Sequence, residues 1–106
     1  MSQQKEFIKT IQEQASQEKI RTTQHAQQEM TEENFTLDEV LQAIQVAELL
    51  ENYPEHKRGA CCLLNGKTNS GRAVHIVCTT SLELLIIITV YEPRPPKWLT
   101  ATQRGK

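Results

Sequence analysis

The spacing of apolar residues changes part-way along this chain, and the change divides it into a helical half and a strand half. In residues 3–18 Phe7, Ile8, Ile11 and Ala15 recur three and four apart, the period of one helix face. This predicts a first amphipathic helix, although the Gln/Glu-rich composition equally suits a terminal extension. Thr23 is placed to cap a second, short helix running through Met30 to about Asn34, with Ala26 and Met30 as a narrow apolar stripe. At Phe35–Val40 the local signal is stronger. Thr36 is an N-cap with Glu39 three residues on, and Phe35 and Val40 stand at the two positions of a hydrophobic staple. The third helix therefore starts at Leu37, buries Leu37, Val40, Leu41 and Ile44, and ends near Val46 or Ala47.

Beyond it the pattern becomes that of strands. Glu48–Tyr53 reads as an edge-like strand stopped by Pro54. Ala60–Leu64 is a second, turned by Asn65-Gly66 and the polar residues that follow. Ala73–Cys78 and Leu84–Tyr91, β-branched and separated by Thr79-Thr80-Ser81, form an antiparallel pair. Strand side chains alternate between faces, so His75 lies with Ala73 and Val77, and Thr89 and Tyr91 lie with Leu85 and Ile87. Packing the fully apolar sets on the helices leaves His75, Thr89 and Tyr91 together on the opposite face. Pro93-Arg94-Pro95-Pro96 ends regular structure, and Trp98 and a basic tail with Arg104 and Lys106 follow. The expected fold is α+β, with N-terminal helices packed on one face of a four-stranded antiparallel sheet and the other face open for a ligand.

A length of 106 residues fits a single domain. The net charge of −1 hides an asymmetry: residues 1–60 carry six Lys/Arg against eleven Asp/Glu, residues 61–106 six against two. A basic strand half can meet an anionic partner, and scattered solvated charge explains the same count. The N-terminus has no apolar leader-like stretch, and Leu84–Ile88 is too short to span a bilayer, so a cytoplasmic protein without a membrane partner is expected. Cys61, Cys62 and Cys78 lack CxxC spacing and read as reduced core residues. A His75/Cys78 metal pair fails because strand positions i and i+3 face opposite ways, so neither a metal nor a cofactor is expected.

Four ordered segments carry a resemblance. They are Thr23-x-His25-Ala26, Glu48–Pro54, Gly71–Val77 and Ile87–Pro93, with Trp98 soon after. Across residues 20–98 the chain resembles a small bacterial domain family of uncharacterised function, whose members look like relatives of the RelE and MqsR toxins and are often encoded beside a zinc-finger antitoxin of the MqsA type. On this resemblance residues 1–19 form a leading helix or extension and 99–106 a tail. The resemblance implies a RelE/MqsR-like fold, a metal-independent endoribonuclease acting on RNA, and an antitoxin partner. Two departures are visible: Glu29 and Glu33 put negative charge on a helix where the family usually carries arginines, against a phosphate-binding surface, and Ala47 replaces a glycine, which affects only the helix stop.

Metal-free RNA cleavage needs a base for the 2′-hydroxyl, an acid for the leaving oxygen and cations on the phosphate. His75 is the best acid–base residue, with His25 as a second and Tyr91 as a proton donor or stacking surface. Trp98 offers another ring, and Lys57, Arg58, Arg72 and Arg94 are the phosphate-binding candidates. Each has a plainer reading as a hydrogen-bonded core histidine, a satisfier of backbone groups, a core-closing aromatic or a solvated charge. The competing function is therefore a non-catalytic binding module. Its partner would be a zinc-finger antitoxin or a second copy of the chain paired through Glu48–Tyr53.

Overall fold

The computed structural model describes residues 3–55, 57, 59–80 and 83–105. The helices are α1 (Gln3–Ser16), α2 (Gln24–Glu33) and α3 (Leu37–Gln45), and the caps forecast by the sequence are in place. Thr23 accepts from the Ala26 amide, Asn34 ends α2 in the left-handed region, and Thr36 and Glu39 form the reciprocal capping box of α3. Along α3 the buried residues are Val40, Ala43 and Ile44. Leu37, expected inside, is 39% exposed. α1 docks on the C-terminal end of α3 through Ile11 and Ala15, and Gln12 donates to the Ile44 carbonyl at 3.1 Å.

The sheet has five strands, where four antiparallel ones were expected. β2 (Glu48–Tyr53), β3 (Cys61–Lys67), β4 (Ala73–Thr79) and β5 (Leu85–Tyr91) make the forecast antiparallel meander. The additional strand, β1 (Ile20–Thr22), pairs parallel with β5 and gives the order β1-β5-β4-β3-β2. Three residues with one apolar side chain carry no readable period; β1 is a strand only because β5 presents an edge to it. Asn65-Gly66, expected as a turn, lies inside β3 opposite His75 and Val74. The turn is instead at Thr68–Gly71, where Gly71 has φ +91°. Gly66 is needed for a different reason: a Cβ there would run into the Ala43 carbonyl of α3, so glycine sets how closely helix and strand approach.

A bulge corrects the expected faces of β5. Val77 pairs with Thr89 but Cys78 pairs with Ile87, so Ile88 is an extra residue. Leu85 and Ile87 thereby join Cys62, Leu64, Val74, Ile76, Cys78 and Val90 in the helix-side core, while Thr89 and Tyr91 stay opposite. His75 and Tyr91 are direct partners across β4 and β5.

The second face of the sheet is also not open as expected. Residues 93–105 fold back across it as a strap, and His75, Cys61, Leu63 and Trp98 are all at most 1% exposed while Cys61, Leu63 and Trp98 lie outside the main apolar cluster. Residues after the proline run carry no helical or strand period, so their docking was invisible in the pattern.

Candidate functional site

The hydrogen bonds around His75 fix every proton in the cluster. Its Nε2 is 2.6 Å from the Ala101 carbonyl, which can only accept, so Nε2 carries the proton. Its Nδ1 then accepts from the Tyr91 hydroxyl at 3.1 Å. That hydroxyl's oxygen accepts in turn from Trp98 Nε1, a donor only, also at 3.1 Å. The result is a directional relay from indole to phenol to imidazole to backbone carbonyl. The rings add edge contacts: the His75 centroid is 4.4 Å from that of Trp98 at 86° and 5.2 Å from that of Tyr91.

Electrostatics agree with the geometry. Burial pushes His75 below its ordinary value, and Arg104 and Lys97 push the same way, against the Ala101 carbonyl and Glu51. The imidazole is neutral, as the relay requires. Burial also pushes the Tyr91 phenol up, so it keeps its proton. Lys97 Nζ stands 5.3 Å from the Tyr91 ring centroid.

One ion pair latches the strap to the sheet. Arg104 donates from Nε to Glu51 Oε2 at 2.6 Å and from Nη2 to Oε1 at 2.7 Å, and its guanidinium lies 4.7 Å from the Trp98 ring centroid. Arg104 holds the Glu51 carboxyl down at about 2, with Tyr53, which donates to the same carboxylate, as a further cause. Burial and that carboxylate push Tyr53 up to about 12.

The structure brings His75, Tyr91 and Trp98 together and places the remaining sequence candidates elsewhere. His25 is exposed on α2, its Nε2 3.3 Å from Glu29 on the same helix. Arg72 donates to the carbonyls of Glu33 and Asn34 and to Glu92, and lies 3.8 Å over the Phe35 ring, so it closes the end of α2. Arg94 is paired with Glu33 and Glu92. Lys57 is exposed in the turn after Pro54, and Arg58 lies outside the described residues.

Glu29 and Glu33 have a structural task. They accept from the backbone amides of Val90 at 2.9 Å and Glu92 at 3.1 Å, on β5 beyond its pairing with β1 and on the residue that follows it. Two carboxylates four apart on α2 thus cover alternate donors of an otherwise bare strand edge. Arg21 was not singled out by sequence. Among the described residues its side chain has no hydrogen-bonding or charged partner, and with Thr22, Thr23, Thr79, Ile86 and Ile88 it lines a hollow of about 290 Å³ on the part of the sheet near β1. A strand of one turn's length left no pattern from which to find it.

Among the described residues no group of three or more His, Cys, Asp or Glu side chains is placed to hold a metal ion, and no helix is long and apolar enough to cross a membrane. No curated protein and no solved structure matches the chain. A family model does, the domain of unknown function DUF4258, over residues 22–92, from the last residue of β1 to the residue after β5. With most of its length matched, including all of β4 and β5, the chain belongs to the DUF4258 family.

Proposed function

We propose that this DUF4258 domain is the toxin of a type II toxin–antitoxin pair, a metal-independent endoribonuclease of the RelE/MqsR-like kind working in the cytoplasm. The observation that carries the reading is the His75–Tyr91 pair: two groups of matched acid–base chemistry, directly opposed in register and hydrogen-bonded on the sheet face away from the helices. The α+β architecture with helices on one face supports it, since that is the architecture the resemblance implies.

Their electrostatics divide the labour. His75, held neutral, takes the proton of a ribose 2′-hydroxyl as its oxygen attacks the adjacent phosphorus. Tyr91, held protonated, gives a proton to the departing 5′-oxygen, leaving a 2′,3′-cyclic phosphate and a 5′-hydroxyl. Arg21, Lys57, Arg58 and Lys97 are the cations for the phosphate chain, because Arg72 and Arg94 are already neutralised by carboxylates. In the closed arrangement His75 is 0% exposed, so the strap must lift for substrate to reach it.

That same burial favours a second reading, a binding module without catalysis, whose partner is a zinc-finger antitoxin or a second copy along the outer edge of β2. Incubation of a mixed-sequence RNA with purified protein in EDTA separates the two. Cutting that disappears in a folded His75→Gln variant establishes the ribonuclease. Intact RNA, with ribosomes also supplied and the protein shown folded by circular dichroism, refutes it in favour of the binding module.

A further inference from the structure

The strap is built as a separable unit. The backbone hydrogen bonds of residues 97–105 close within the strap: Trp98 to Arg94, Leu99 and Thr100 to Gln103, and Gly105 to Lys97. Gly105 permits the last of these, because a Cβ there would strike the Pro96 carbonyl. Attachment to the sheet runs through Trp98 to Tyr91, His75 to Ala101 and the Arg104–Glu51 latch. A segment whose backbone–backbone hydrogen bonds are internal, and which lends the sheet only the Ala101 carbonyl, can leave the surface without unmaking itself.

What it presents to the sheet is chemically specific. A flat heteroaromatic ring stands edge-on to His75, its N–H on the Tyr91 oxygen, and a carbonyl beside it takes the His75 N–H. Directly across the β3–β4 ladder from His75, the Asn65 side chain keeps its Oδ1 buried without a hydrogen-bond partner among the described residues. One acceptor next to the cluster is thus unanswered.

We propose that Trp98 and the Ala101 carbonyl occupy a nucleobase site, the places taken by the ring, N–H and C=O of a uracil or guanine when the strap lifts, and that the Arg104–Glu51 pair sets how often it lifts. The choice of ligand class rests on the ribonuclease reading. The site accepts an N–H at Tyr91 or Asn65 and donates to a carbonyl from His75 Nε2, the pattern of a base with N–H next to C=O. Apparent affinity then depends on the fraction of molecules with the strap open.

Trp98 is the chain's single tryptophan, so its emission reports the strap directly. We would titrate the full chain with uridine and guanosine monophosphates, exciting at the red edge of the indole band, with ribose 5-phosphate as the phosphate-only probe. The expected result is a red shift with both nucleotides and none with ribose 5-phosphate. Glu51→Gln and Arg104→Gln, which loosen the latch from either side, should each lower the apparent Kd about fivefold. An unchanged emission at saturation, an equal shift with ribose 5-phosphate, or latch variants that bind no tighter would overturn the proposal. RNA cleavage by a protein whose Trp98 emission neither mononucleotide shifts removes the nucleobase site and leaves the ribonuclease standing. Nucleotide-driven exposure of Trp98 without cleavage does the reverse.

Discussion

Replacing Tyr91 by Phe deletes one oxygen from the middle of the relay and strands a group on each side of it. Trp98 Nε1–H, on a residue 1% exposed, loses its acceptor, and His75 Nδ1, on a residue 0% exposed, loses its donor. A tautomer change cannot rescue the imidazole, because it would take the proton from Nε2 that the Ala101 carbonyl accepts at 2.6 Å. Each orphaned buried group costs about 1–3 kcal/mol, so the variant should lose roughly 2–6 kcal/mol, against about 1 kcal/mol for an ordinary hydrogen bond. Urea unfolding followed by Trp98 emission and by far-ultraviolet circular dichroism measures it. At about 1–1.5 kcal/mol per molar urea the midpoint should fall by about 1.3 M or more. Because the strap's backbone bonds close on themselves, Trp98 should also become accessible to acrylamide at urea concentrations where the sheet is intact. A loss below about 0.5 kcal/mol, with Trp98 quenched no faster than in the parent, would refute the relay as drawn.

Three further outcomes are expected. Gly66→Ala should cost several kcal/mol, because the new Cβ meets backbone of α3 rather than a side chain that can move; a thermal midpoint within 2–3 °C of the parent, roughly the shift of a mild substitution, would contradict this. Glu29→Ala leaves the Val90 amide bare on the β5 edge and should cost about 1–3 kcal/mol, with faster hydrogen exchange at Val90; unchanged exchange there would show that the carboxylate is not its cover. Glu51, lowered from 4.5 to about 2 chiefly by Arg104, contributes stability that is full above 4.5 and is lost as pH falls toward 2. Taken at face value that is about 3 kcal/mol. With Arg104 46% exposed, solvent screening leaves about 1 kcal/mol, so the stability gap between parent and Glu51→Gln should be about 1 kcal/mol at pH 6 and close between pH 4.5 and 2. A gap that is flat across that range would assign the latch no ionic contribution.

The sequence by itself determined the elements whose causes are local. Thr23 and Thr36 cap helices through atoms three residues away, Pro54 stops a strand by lacking a donor, and β-branched runs make Ala73–Thr79 and Leu85–Tyr91 strands wherever they sit. Alternation also placed His75 and Tyr91 on one face, although for β5 it did so through a bulge at Ile88 that alternation cannot foresee. Everything that depends on a distant partner was decided by the tertiary structure. β1 exists because β5 has an edge to offer, Gly66 is glycine because α3 passes above it, and Glu29 and Glu33 face the sheet because the amides of Val90 and Glu92 need acceptors. The strap is the clearest case. Residues 93–105 have no period to read, yet one indole, one carbonyl and one guanidinium suffice to cover His75. Side-chain contacts between segments far apart in the chain leave no repeat in either of them.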